Sequence, residues 1–388
     1  MKYKIKAIFL AVIIILTSVV QTGCWNRREL NTIAIVMGVG IDKGKENNEI
    51  EMTAQIVDTS NTKSGSGESG NSSAYINISG RGKSVISIFR NFTHEISRKP
   101  YISHNQMIIF GNDYAKEGIN SSIDFFMRAR EARLTVNVFV AKNDAKDIFE
   151  ADPNLATIPV SDVANRVQVQ KETSTTAVLT VMDLMICLDS KTRCAVAPIV
   201  DLKDSEDKKI AIISGGAVFK GDKVVGELDK TETRGYLWIT DKVKSGIIDI
   251  DVENEQMAIE IVNSETKTSP KINEDGTVSV TIKIKESGNI SSFTGKENLA
   301  AVDKLTDVEN ITAEYIKAEV KSAIDKAIEL NADIFGIGDM LYKQSPKKWK
   351  DLENNWDETF KNIDYTIEVD STITSAGRLS RPNYPAGE

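Results

Sequence analysis

Histidine and cysteine are the scarcest chemistry-bearing residues, with two His and three Cys in 388 positions. Neither His has a Cys or His neighbour at metal-ligand spacing, so no metal site is expected. Cys24 ends an N-terminal apolar run, leaving Cys187 and Cys194, and two cysteines do not make a disulfide framework. They either pair across a hairpin, as export would allow, or stand as two separate thiols. The second reading is favoured. An excess of basic charge is also missing. The formal net charge is −8, and losing Lys2, Lys4 and Lys6 with a leader gives −8 − 3 = −11. Nucleic-acid binding needs a concentrated basic face, so it is excluded, and an acidic chain is not recruited to anionic lipid by its net charge. No G-x-S-x-G, H-E-x-x-H or P-loop occurs, and no carboxylate pair is singled out for acid–base work. The chain is therefore read as a non-enzyme, with no catalytic residue and no cofactor. Gly65-Ser66-Gly67-Glu68-Ser69-Gly70 fits G-x-G-x-x-G literally, but its polar, low-complexity flanks read as a surface loop rather than a strand-to-helix turn.

What is present begins with three lysines, then an apolar run from Ala7 to Val20, then Thr22-Gly23-Cys24. This is the three-part layout of a secretory signal. Its apolar part is shorter than the roughly 20 residues that cross a bilayer as a helix. Small residues directly before a Cys resemble a bacterial lipobox, with Gln21 departing from the usual aliphatic residue. Cleavage after residue 23 would leave Cys24 as the acylated first residue, and two or three chains give a stable anchor at about 0.8 kcal/mol per buried methylene.

Periodicity then divides the mature chain into an α+β architecture of three consecutive mixed α/β domains, each a β-sheet with helices packed on it. The expected boundaries are 24–30 for the lipidated start, then 31–202, 203–265 and 266–378, with a loose tail at 379–388. In the first domain a hairpin over residues 33–57 precedes a helix at 82–99, whose face is Val85, Ile88, Phe89, Phe92 and Ile96. A strand at 106–110, a helix at 119–130 and a strand at 135–141 follow. His104, at a strand entry, is read as a structural residue, and Arg128, Arg130 and Arg133 as partners of local acids such as Asp124 and Glu131. In the middle domain, strands at 210–219 and 223–228 lead into a short helix. There Glu232 and Arg234 are exposed candidates for a partner contact, or form a local salt bridge. In the third, Val278, Val280, Ile282 and Ile284 share one strand face. The helix at 310–330 carries a stripe of Ile311, Tyr315, Ala318, Ile324, Ala327 and Ile328, read as core.

Four separated motifs carry a resemblance. They are Cys24-Trp25-Asn26-Arg27-Arg28-Glu29-Leu30; the Ser97-Arg98, Ser103-His104-Asn105-Gln106 and Arg128-to-Arg133 set; the run from Gly216 to Trp238 with Glu232-Thr233-Arg234-Gly235; and Asp333-Ile334-Phe335-Gly336-Ile337-Gly338 followed by Trp349 and Trp356. In this order they resemble the Ger(x)C spore germination lipoproteins, the C subunits of GerA-type nutrient receptors. The resemblance implies a lipid-anchored subunit on the outer face of the spore inner membrane, tethered through Cys24. It implies A-type subunits and permease-like B-type subunits as partners, and a role in receptor assembly or signalling without chemistry of its own. Direct contact with nutrient is left open. The alternative is a substrate-binding lipoprotein serving a transporter; a third reading is an envelope hydrolase.

Overall fold

The computed structural model describes residues 2–20, 32–58, 74–252, 255–294 and 302–375. Helix α1 spans Lys2–Val20. Among the described residues no helix is long and apolar enough to cross a membrane.

A sheet of nine strands forms the first layer. The β-branched runs β1 (Ile33–Lys43) and β2 (Ile50–Val57) pair antiparallel as the expected hairpin, and β3 (Tyr75–Gly82) lies on the outer side of β2. The expected helix at 82–99 is shorter. Ser84 caps helix α2 (Val85–Asn91), a 3₁₀ turn covers Phe92–His94, and the chain straightens into β4 (Lys99–Tyr101), parallel to the start of β1. The apolar spacing through Ile96 had outrun the helix, and Lys99-Pro100 favours extended backbone at its end. Next come β5 (Met107–Phe110), α3 (Asn112–Glu117), α4 (Asn120–Arg128), β6 (Asn137–Ala141), α5 (Ala145–Phe149), α6 (Pro159–Glu172) and α7 (Val181–Asp189). The antiparallel strands β7 (Ala195–Ser205), β8 (Lys208–Lys220) and β9 (Lys223–Leu228) complete the sheet. Strands β1, β5, β6 and β7 run parallel, covered on both faces. That explains why β5 reads as an uninterrupted apolar run: Ile108 and Phe110 enter one core, Met107 and Ile109 the other.

Helix α8 (Lys230–Ile239) leads to a four-stranded sheet of β10 (Gly246–Val252), β11 (Glu255–Ile272), β12 (Val278–Phe293) and β13 (Asp364–Ser375). The first three form an antiparallel meander. Then α9 (Val302–Glu329), α10 (Ile337–Gln344), α11 (Pro346–Leu352) and α12 (Trp356–Lys361) make a crossover that brings β13 back parallel to β12. Val278, Val280, Ile282 and Ile284 are buried in one core with Ile316, Val320, Ala323, Ile324 and Ala327 of α9. The buried stripe of α9 is thus rotated from the expected one. Tyr315 and Ala318 are exposed, whereas Ile316 and Val320 take the core positions.

The chain is of the mixed α+β class. Strands of the 203–265 segment divide between the two sheets, with β8 and β9 in the first and β10 and β11 in the second. Val196, Val218 and Leu228 of the first sheet belong to the same apolar cluster as the second sheet and α9. Helix α8 is the element that makes this continuous.

Candidate functional site

Cys24 lies outside the described residues, as does the glycine-rich stretch at 65–70. His104 is exposed, its ring 6.1 Å from that of Tyr101. Arg128 donates through Nε to both carboxylate oxygens of Asp124 at 2.8 Å, the local pairing expected for it. Cys187 and Cys194 are free and buried. Burial pushes both thiols up, Cys194 to about 12, so they are inert as nucleophiles.

The densest polar arrangement is at the contact of α8 with α9. Asp229 caps α8 and shares a reciprocal capping box with Glu232, whose carboxylate accepts from the Asp229 N–H at 2.8 Å. Glu232 is therefore committed to its own helix. One turn on, Gly235 permits a backbone approach. A Cβ there would stand 2.7 Å from the carbonyl carbon of Glu319 and 2.8 Å from Cβ of Ala323. This closeness delivers Arg234 and Trp238 to one carboxylate. Arg234 Nε donates to Glu319 Oε2 at 2.8 Å, and Trp238 Nε1 donates to the same oxygen at 2.9 Å. Arg234 Nη1 donates to the Ile247 carbonyl at 2.8 Å, and Tyr315 lies over the guanidinium at 5.8 Å. Arg234 is mostly buried rather than exposed, and its salt bridge is not the expected local one: its partner Glu319 stands on another helix, 85 residues along the chain. Burial pushes the Glu319 carboxyl up, against the pull of Arg234 and Trp238.

A cleft of about 390 Å³ opens beside this network, between β8 of the first sheet and helices α6, α8 and α9. Gln170 of α6, Ser214 of β8, Lys230 and Arg234 of α8, and Tyr315 and Glu319 of α9 line it. Arg234 Nη2 is buried without a partner among the described residues. Hydroxyl and amide groups, one pre-formed ion pair and an aromatic edge can orient a small polar solute. No cluster of three metal-ligating side chains occurs among the described residues.

Two buried aspartates escaped the sequence reading of roles, although one of them, Asp333, opens a quoted motif. Asp42, closing β1, accepts from the Ala145 and Lys146 N–H groups at 2.6 and 2.9 Å and so caps α5 from a distant strand. Gly111 lies against its carboxylate so closely that a Cβ would collide. Asp333 accepts from Ile337 and Gly338 N–H at 2.9 and 2.8 Å, capping α10 behind the left-handed Gly336. Its carbonyl also accepts from Cys194 N–H at 2.9 Å, and Ser190 donates to Asp339 at 2.7 Å, so the Asp333-to-Gly338 motif locks the second half of the chain onto the 190–194 loop. Burial raises both carboxyls to about 6, against the backbone N–H groups that favour the ionised form; around Asp42, Asp144 and Glu51 add repulsion.

Fold and motifs together define a two-sheet α+β protein whose recurrent polar residues are helix caps and buried locks between its halves. The family profile of the spore germination protein N-terminal domain matches residues 26–202, and that of the spore germination B3/GerAC-like C-terminal domain matches residues 214–377. Spore germination protein YndF of Bacillus subtilis (strain 168) is 27% identical, with 98% of this chain and 99% of that protein covered. Spore germination protein KC of the same organism is 23% identical over 97% and 98% of the two chains. The crystal structure of the GerBC protein superposes with a TM-score of 0.57 at 21% identity, over 87% of this chain and 97% of that one. The chain belongs to the Ger(x)C family of spore germination proteins.

Proposed function

We propose that this protein is the lipid-anchored C subunit of a nutrient germinant receptor. In this reading it is tethered through Cys24 to the outer face of the spore inner membrane and serves assembly or signalling of the receptor during germination. The observation that carries it is that both family profiles match in order along almost all of the chain that follows Cys24. Its partners are an A-type and a B-type receptor subunit, and it performs no reaction of its own. The buried α8–α9 lock supports a mechanical role. Because Arg234, Trp238 and Glu319 couple a helix leaving the first sheet to the helix of the second, a load on one half is passed to the other rather than absorbed by a hinge.

The test is nutrient-triggered germination of spores carrying Cys24→Ala, with added calcium dipicolinate as a receptor-independent trigger. Loss of the nutrient response with the dipicolinate response intact is expected. An unchanged nutrient response in a strain lacking other receptors overturns the anchored-subunit reading. The polar cleft favours one second reading, a small-solute binder. Titration of candidate nutrients against the protein, read through Tyr315 and Trp238 fluorescence, supports it if saturable and removes it if flat.

A further inference from the structure

The anchor chain enters the fold at Ile33, the first residue of β1. Nine residue steps separate it from Cys24, a reach of at most about 32 Å fully extended. The opposite end of β1 stands about 33 Å deeper along the strand. With Cys24 acylated, the Ile33 edge of the first sheet is the edge that the bilayer meets first. β4 lies on that edge, with Lys99 in register with Ile33 and Pro100 with Ala34. Beside β4 runs a groove of about 370 Å³ between α2 and the end of α4. Phe89, Ile102 and Phe125 give it an apolar floor, extended outward by Ile86, which is 46% exposed. Three exposed cations line it, Arg90, Lys99 and Arg130, against one carboxylate, Glu131. Arg133 and His104 are exposed close by in sequence.

This local positive charge runs against a chain of net charge −8. A free small anion would gain nothing from the aromatic floor, and an apolar peptide would gain nothing from the cations. An amphiphile with an anionic head and an apolar body satisfies both. We propose that this groove docks on the anionic phospholipid surface of the membrane, orienting the protein about its anchor. The inference rests on the lipid-anchored reading above. It also revises the argument from net charge, which averages over a surface that is sided.

The test uses the full acylated chain reconstituted in vesicles, with an environment-sensitive fluorophore on Thr93→Cys, in the groove, or on Asn47→Cys, in the far β1–β2 turn. Cys187 and Cys194 are buried and Cys24 is acylated, so the new thiol takes the label. In phosphatidylglycerol-containing vesicles the Thr93 label is expected to shift to the blue, and the Asn47 label is not. The shift is expected to vanish in pure phosphatidylcholine, at about 1 M salt, where screening falls to about 3 Å, and in the R90E/K99E/R130E variant. The salt arm needs no substitution and decides the matter should that variant misfold. Failure of the chain to float with the vesicles overturns the anchor and this inference together. Flotation with no blue shift, or with the same shift in both lipids, overturns this inference alone.

Discussion

Gly235→Ala is a one-carbon change whose consequence can be worked from the α8–α9 contact. The added Cβ would overlap the carbonyl oxygen of Glu319 and stand 2.7 Å from its carbonyl carbon, where ordinary contact begins at 3.4 Å, so the helices must part by more than 3.4 − 2.7 = 0.7 Å. Both atoms are backbone, with no rotamer to give way. Carried through to the lock, the displacement stretches the 2.8 and 2.9 Å bonds to Glu319 to about 3.5 Å, beyond useful hydrogen-bond length. Overpacking costs about 1–3 kcal/mol, and leaving a buried carboxylate without partners costs about 3–5 kcal/mol. Replacing glycine inside a helix returns only about 1 kcal/mol. The net is a loss of roughly 3 kcal/mol or more, which should lower the thermal midpoint by about 5 °C or more. Differential scanning calorimetry of the protein and the variant reads this directly. The same variant made on Glu319→Gln should cost less, because the carboxylate whose partners it strips is already gone. An unchanged or raised midpoint for Gly235→Ala, as helix propensity alone would give, refutes the argument that α8 must touch the α9 backbone.

Two further outcomes follow from burial. Asp333 and Asp42 have folded-state carboxyls raised from 3.8 to about 6, so the folded chain binds protons the unfolded chain has released. Their contribution to stability is present below about pH 4 and lost as pH rises through about 6, each by up to about 3 kcal/mol. Asp162, held low by its backbone N–H partners and Arg166, works in the opposite sense, so the variant must be compared with the parent at each pH. Urea midpoints of Asp333→Asn should gain on those of the parent between about pH 4 and pH 7; a constant gap removes the assignment. Cys187 and Cys194 should resist a thiol reagent in the native protein and both react after denaturation, and reaction of either in the native state contradicts their burial.

Much of the fold could be read directly from spacing, because period-two and period-3.6 patterns report which side of an element faces apolar neighbours. β9, the β1–β2 hairpin and the alternation of β12 lie where their patterns put them. β3 went unread because its side chains are half-exposed and carry little alternation. The α9 stripe was read one step out of phase, since Tyr315 and Ala318 are apolar yet face outward, while Glu319, a carboxylate, is buried. Arg234 misled for the same reason: polar residues are assigned to solvent unless their partner is known, and its partner lies 85 residues away.

The residues themselves carried the acidic and cysteine-poor character, the α+β alternation and the four motifs that point to the family. These depend on side-chain type, local spacing and the ordering of short segments. The joining of the halves was decided by three-dimensional contact. Sharing the 203–265 strands between two sheets, capping α5 with Asp42 from 103 residues away, and setting α9 against Gly235 all require segments distant in the chain to meet. Such meetings are fixed by which surfaces bury best together and by which buried polar groups find partners, and neither quantity is a property of a local stretch.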